Sequence, residues 1–277
     1  MFSIIIPTFN RAHTLPDTLN SVIKQSARNW EIIIVDDGST DSTRKELEVY
    51  LSDERIKYFY QNNMGVSLAR NKGVEQSRGD YLIFLDSDDK ILPGLISRLD
   101  EIKCENYDLI CWEVLKNIDG KTEVWKPKKL EKIYNNITAI FLAGSVCYKK
   151  EIFLQAGGFD PKMTFGENYE LGMRISERKD LKIKILPQQF LYYVVNNNNR
   201  ESDTLENKVN SYQNLYKKHR TKFRNDRKSH SQMLYFLGFV YEKLGMKLEA
   251  KEYFWYSFVI NPLNYKALLK SIYFKLL

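Results

Sequence analysis

The feature that most constrains this chain is a repeated pairing of a short apolar run with a helical pattern. Residues 2–6 (FSIII), 31–35 (EIIIV), 56–60 (IKYFY) and 81–85 (YLIFL) are rich in β-branched and aromatic side chains and too short for helices. They read as strands, the first, second and fourth of them buried. Thr14 stands as a helix cap ahead of Pro16, with Leu15, Leu19, Val22 and Ile23 sharing one face. Residues 39–51 read as a second helix, Val66, Ala69, Gly73 and Val74 mark a third, and Leu95, Ile96, Leu99 and Ile102 form the buried face of a fourth. Strands alternating with helices at this spacing imply an α/β fold with a mostly parallel central sheet covered on both faces. In such sheets ligands sit beyond the carboxyl ends of the strands. The polar clusters fall there: TFNR (8–11), DDGSTD (36–41) and DSDD (86–89).

Two readings attach to each cluster. Asp86, Asp88 and Asp89 are oxygen-only ligands at short spacing, which suits Mg²⁺ or Mn²⁺ with a phosphate-bearing ligand, or they cap the helix that starts near Pro93. A carboxylate at Asp36-Asp37 can accept a hydrogen bond from a nucleobase N–H, or the segment is a capping turn in which Gly38 permits the bend and Ser39 or Thr40 caps the next helix. Arg70, in NMGVSLARN, meets nucleotide phosphate or base, or lies on a solvated helix face. Glu167 and Glu170 precede an apolar helix face and supply a general base, or they are acids that a helix N-terminus favours by its dipole. The three histidines are scattered, and neither a P-loop nor GxGxxG is present, so a nucleotide would be held through its base and a metal.

From 115 to 204 the pattern loosens. Strands are expected at 145–148, 181–186 and 190–195, a glycine-rich turn at AGGFD, a helix at GENYELGMRI, and a mobile loop at 196–203 (NNNNRESD). The remainder reads as helical. Three cysteines, Cys104, Cys111 and Cys147, lack CxxC spacing and favour a reducing compartment. With neither a signal peptide nor a spanning segment expected, the chain reads as cytoplasmic. Residues 205–277 carry 14 Lys/Arg against 5 Asp/Glu, a net +9 that more than accounts for the overall +7. The run 217–228 (KKHRTKFRNDRK) is either a solvated helix face or an interfacial segment against an anionic membrane, with Phe223 and LLKSIYFKLL adding apolar contact. Nucleic acid is set aside because no recognition motif accompanies the charge.

At SIIIPTFNR, VDDGSTDST, NMGVSLARNKGVEQSRGDYLIFLDSDD and GGFD…GENYEL the chain resembles the family 2 glycosyltransferases of GT-A fold, in family order over residues 1–200. The resemblance implies a GT-A domain at 1–204, with a nucleotide-binding half at 1–114 and an acceptor-binding half at 115–204, followed by a basic helical extension at 205–277. It implies an inverting, metal-dependent hexosyl- or N-acetylhexosaminyl-transferase that uses a UDP-sugar donor and a glycan or lipid-linked saccharide acceptor, in surface polysaccharide synthesis. Donor contacts would come from Pro7, Thr8, Asn10, Arg11, Asp36, Asp37, Asn63, Gly65, Arg70, Asp86 and Ser87, with Thr8 and Asp37 at the base. Asp88 and Asp86 would hold Mn²⁺ or Mg²⁺, and Asp89 would lie near sugar or acceptor. The family usually has Glu-Asp where this chain has Glu167-Asn168, and Asn cannot take a proton. Glu167 therefore stands first as base and Glu170 second. A sugar nucleotidyltransferase is the competing enzyme class, but TFNRAHT lacks the glycine-rich loop it needs. A non-catalytic nucleotide-sugar-binding module is the other alternative, suggested by Asn168. In the extension, Leu237, Gly238, Tyr241, Gly245, Ala250, Phe254 and Pro262 resemble one tetratricopeptide-type hairpin.

Overall fold

The first strand, β1 (Phe2–Thr8), is buried at every residue and runs between two parallel neighbours, as a strand without polar alternation must. It appears in a computed structural model that describes residues 1–102, 106–195 and 204–276. Cys104 and the segment 196–203, where a mobile loop is expected, lie outside the described residues. The chain divides into two units, one comprising Met1–Lys129, Ile137–Pro161 and Asn168–Asn197, the other Leu130–Asn136, Lys162–Glu167 and Asn198–Leu277.

In the first unit β1 is followed by α1 (Leu15–Ile23), β2 (Trp30–Asp36), α2 (Thr43–Leu47), β3 (Ile56–Tyr60), α3 (Val66–Gln76), β4 (Tyr81–Phe84), β5 (Lys90–Ile91) and α4 (Leu95–Glu101). Then come β6 (Leu109–Ile118), β7 (Lys121–Trp125), β8 (Lys128–Lys129), β9 (Thr138–Ala139), β10 (Val146–Lys149), α5 (Lys150–Gln155), α6 (Glu167–Ile175), which begins in the second unit, and β11 (Ile183–Val195). The main sheet has the order β3-β2-β1-β4-β10-β6-β11-β5, with β7 added to β6. Its first four strands are all parallel, and β10 enters antiparallel between β4 and β6. Leu19, Val22, Leu95 and Leu99 cover it together with Ile4, Ile6, Ile32 and Ile34 in one apolar cluster.

Pro7 sits inside β1 without breaking the sheet. The carbonyl of Ile5 faces β4, where Leu85 donates to it, so Pro7, two residues on, turns its missing N–H to the same side. The β1–β4 ladder has already ended at Ile5 and Phe84.

Three expectations about helices and strands change. The helix expected at 39–51 shrinks to α2, because Asp41 accepts from the Thr43 amide and hydroxyl and the turn extends to that point. Thr14 occupies the cap position of α1, but its hydroxyl makes no capping bond. The strands expected at 181–186 and 190–195 are one strand, β11, with register irregularities between Leu186 and Leu191, where Pro187 cannot donate to the ladder.

The entry end of β2 carries a buried acid. Glu31 accepts from the Ser3 hydroxyl at 2.7 Å, the Arg78 amide at 2.5 Å and guanidinium at 3.0 Å, and the Gly79 amide. Burial alone would push its carboxyl up. The donations from the Arg78 amide, Ser3 and the Arg78 side chain outweigh that and hold it below the ordinary carboxylate value.

The second unit is helical: α7 (Leu205–Lys218), α8 (Arg220–Arg224), α9 (Arg227–Lys243), α10 (Lys247–Ile260) and α11 (Tyr265–Leu276). Asp226 caps α9 through the Lys228 amide and the Ser229 hydroxyl. Helices α9 and α10 form a hairpin in which Gly238 lets Phe254 close in; a Cβ there would lie 2.9 Å from the ring. Phe223 is only 1% exposed, so it belongs to the interior of this unit and supplies no apolar contact to a membrane. Leu269, Ile272 and Tyr273 are exposed, as are Lys217, Lys218, Arg220, Arg224, Arg227 and Lys228. Among the described residues, no helix is long and apolar enough to cross a membrane.

Candidate functional site

The carboxyl ends of β1, β2, β3 and β4 gather the polar clusters, and hydrogen bonds tie them into one surface. Asn10 adopts a positive φ of 53°. Its side-chain oxygen accepts from the Thr40 amide at 2.8 Å and the Asp41 amide at 3.3 Å, while its own amide donates to Ser39 Oγ. The Arg11 amide donates to Thr43 Oγ1. TFNR and DDGSTDST, adjacent only because β1 and β2 pair in register from Phe2–Trp30 to Thr8–Asp36, therefore form one interlocked loop pair. Ser39, expected as a helix cap, serves this junction instead. Thr8 is buried, and its Oγ1 has no hydrogen-bond partner among the described residues.

Both acids at the end of β2 have partners within the protein. Asp36 accepts from the Ser39 amide and, at 2.8 Å, from the Tyr58 hydroxyl. Burial pushes the Tyr58 phenol up to about 12, and the Asp36 carboxylate adds to the shift, so the phenol stays protonated and keeps donating. Asp37 accepts from Gln61 Nε2 at 2.7 Å and from the Met64 and Gly65 amides at 2.8 Å each. It thereby pins the loop that carries Asn63 and Gly65 to the sheet edge. Gly38, at φ 90°, passes so close to this loop that a Cβ would stand 2.8 Å from the Asn63 amide. Each carboxylate keeps further acceptor capacity for a ligand.

Beyond β4, Asp86, Asp88 and Asp89 place one carboxylate oxygen each within 4.8 Å of one another. Arg70 on α3, only 2% exposed, donates to Asp86 Oδ1 at 2.6 Å. Asp89 is fully buried and accepts from the Val194 amide, so one of its oxygens braces β11 against this turn. Ser87 is buried between the acids. Three carboxylates this close repel one another, and a cation beside them, as Arg70 already is for Asp86, offsets that repulsion. The all-oxygen donor set fits Mg²⁺ or Mn²⁺, and Asp86 and Asp88, both partly exposed, are the members a metal can reach.

Helix α6 treats its two acids differently. Glu167, at its first residue, is nearly buried and clusters with the second unit. Glu170 is fully buried in the first unit and accepts a two-pronged ion pair from Arg174, from Nε at 2.9 Å and Nη2 at 2.6 Å. Partners that the sequence pattern did not reveal are Tyr58 and Gln61 on the β2 acids, and Asn71 and Phe159 beside Arg70. Asn71 and Phe159 lie in motifs already conspicuous, NMGVSLARN and GGFD, but the pattern held nothing to pair them.

Against known proteins, the profile described as glycosyl transferase family 2 matches residues 3–157. A Campylobacter jejuni protein named GalNAc(5)-diNAcBac-PP-undecaprenol beta-1,3-glucosyltransferase is 35% identical over 134 residues, 47% of this chain and 43% of its own. The uncharacterised glycosyltransferase EpsJ of Bacillus subtilis is 28% identical over 214 residues, 72% of this chain and 62% of its own. Several other curated relatives are matched over 36% of their length or less, so the chain spans well under two thirds of most of them. Among solved structures, S. aureus TarS 1-349 in complex with UDP-GlcNAc superposes with a TM-score of 0.71 at 19% identity, covering 99% of this chain and 88% of that one. That likeness is one of fold.

Proposed function

This chain belongs to glycosyl transferase family 2, and from that premise we propose that it moves a sugar from a UDP-sugar to a hydroxyl of a glycan or lipid-linked saccharide, with inversion at the anomeric carbon. The observation that carries the reading is the aspartate triad at the end of β4, set beside the interlocked loops of β1 and β2. Two comparisons support the substrate classes: TarS is seen with UDP-GlcNAc, and the Campylobacter relative is named for a polyprenol-linked acceptor.

In this reading residues 1–114 bind the nucleotide and 115–204 the acceptor. Thr8, with its unsatisfied buried hydroxyl, and Asp37 receive the uracil; Pro7, Asn10, Arg11 and Asp36 shape that wall, and Asn63 and Gly65 close it. Arg70 orients Asp86, with Ser87 between the acids. Asp86 and Asp88 would hold Mn²⁺ or Mg²⁺, which supplies Lewis-acid neutralisation of charge on the diphosphate. Asp89, already fixed by the Val194 amide, positions sugar or acceptor. Glu167 accepts the proton of the acceptor hydroxyl as its oxygen bonds to the anomeric carbon and the bond to diphosphate breaks. A positioned base of this kind contributes ~10²–10⁴ in rate. The exposed cations of 217–228 hold the enzyme at an anionic membrane surface, where a lipid-linked acceptor resides.

The test is a panel of UDP-sugars with Mn²⁺ or Mg²⁺ and glycan acceptors, scored for UDP release and for product anomer by NMR. Metal-dependent release with an inverted product is expected. Binding of UDP-sugar without turnover would make the chain the binding module that Asn168 suggests. Pyrophosphate release from UTP and a sugar phosphate would make it a nucleotidyltransferase. No nucleotide binding with either metal would sink the proposal.

A further inference from the structure

The buried ion pair between Glu170 and Arg174 takes no part in the proposed chemistry, yet its geometry reaches the triad. The Arg174 guanidinium sits in a fork with three acceptors: the Glu170 carboxylate, the Ala156 carbonyl, and the Gly158 carbonyl at 2.6 Å. The two carbonyls belong to one tight turn, in which Gly157 and Gly158 have φ of 84° and 70°. The residue that leaves this turn is Phe159. Its amide donates to Asn71 Oδ1 and its carbonyl accepts from Asn71 Nδ2, both at 2.9 Å. Gly158 has no side chain because a Cβ would stand 2.9 Å from that Asn71 oxygen. The Phe159 ring lies edge-on to Phe84 at 4.8 Å, two residues before Asp86, and 5.2 Å from the Arg70 guanidinium. Arg70 in turn donates to Asp86.

From this chain of contacts we infer that Glu170 and Arg174 are positioning residues. They brace the 156–159 turn so that Phe159 and Asn71 fix α3 and Arg70, and through Arg70 the metal-binding carboxylate Asp86. This rests on the nucleotide-sugar reading for its consequence, since a loosened Asp86 matters to activity only if it holds a metal and nucleotide. It removes Glu170 from the candidates for the base. Its carboxylate is enclosed by Arg174, and a proton placed there would remove the charge that holds the fork. The fork requirement is specific. Lysine keeps the charge opposite Glu170 but lacks the planar set of donors needed to serve a carboxylate and two carbonyls at once.

The experiment is amide hydrogen exchange by mass spectrometry on the full chain, comparing wild type with Arg174→Lys and with Glu170→Gln/Arg174→Met. The second variant leaves no lone buried charge and so guards against simple misfolding. The expected result is exchange about tenfold faster at 156–159, spreading to 70–71 and 85–89, while residues 2–4 and 78–81 around Glu31 stay protected. Calorimetry with UDP and Mn²⁺ should then show at least about tenfold weaker binding in both variants, against a wild type that binds. Faster exchange confined to 156–159, or unchanged exchange throughout, overturns the inference. A wild type that binds no UDP defeats the donor reading instead, and the spread of exchange still decides whether the brace exists. If Glu170→Gln removed the acidic limb of the pH–rate profile while exchange stayed at wild-type level, Glu170 would be the base and the inference would fall.

Discussion

Strand β2 carries an acid at each end, and the two ends handle it in opposite ways. At its entry, Glu31 stands alone among donors: a hydroxyl, two amides and a guanidinium converge on one carboxylate. At its exit, Asp36 and Asp37 organise neighbouring loops, and one strand beyond β1 three further carboxylates crowd within 4.8 Å. A single acid ringed by donors is a lock that stabilises the fold. Acids crowded into one turn, as Asp86, Asp88 and Asp89 are, repel one another and gain from an added cation. On the proposed function, the difference separates a carboxylate that serves stability from carboxylates that serve a ligand.

The largest expected effect would break or uphold that distinction directly. Asp88→Asn should lower metal-dependent transfer by on the order of 10²–10³ while the melting temperature stays close to wild type. Loss of stability with turnover intact would put the triad in the same class as Glu31. Next, Glu167→Gln preserves shape and removes basicity, so kcat should fall by about 10² with little change in KM. An active Glu167→Gln enzyme would require another proton acceptor.

The Glu31 end should show the reverse profile. Glu31→Gln should leave KM for donor untouched and cost ~1–3 kcal/mol of unfolding free energy near neutral pH, read by urea denaturation. Because the folded carboxyl lies below its ordinary value of 4.5, its contribution is fully present above that value and is lost as pH falls through the lower folded value. The gap between wild type and variant should therefore close in acid. A gap independent of pH would mean that packing, and not charge, holds this end. The smallest effect belongs to the second unit. Reversing Lys217, Lys218, Arg224 and Lys228 should spare donor hydrolysis and weaken sedimentation with anionic vesicles, each cation contributing about 1 kcal/mol or less and less again in salt. Equal sedimentation of both proteins would leave the run as a solvated helix face.

Much of this fold was legible before any coordinates. Residues 31–35 and 81–85 lack polar alternation, and that alone calls for a strand buried on both faces in a parallel sheet. The turn residues after each run marked the carboxyl edge. Helix lengths were less legible: 39–51 looked periodic, but Asp41 claims Thr43 and delays the start of α2. Phe223 reads as a membrane contact in a basic run and is buried, its ring 5.8 Å from that of Tyr216 inside the helical unit.

By itself, the sequence determined where acids occur along the strands, because periodicity and turn chemistry are local. It also determined that TFNR, DDGSTD and DSDD share one edge, because parallel strands with right-handed crossovers place all their ends together. Tertiary structure alone decided which acids are already taken. Asp37 meets Gly65 across 28 positions, Arg78 meets Glu31 across 47, and Asp89 meets the Val194 amide across 105. Glu170 and Glu167 lie three residues apart on α6; Arg174, one helical turn on, is a local i,i+4 partner for Glu170, and what tertiary structure adds is the 156–159 turn, whose carbonyls take the rest of the guanidinium. A carboxylate's role follows from the donors that reach it, and for Glu31, Asp37 and Asp89 those donors are chosen by packing between distant segments, which no local pattern records.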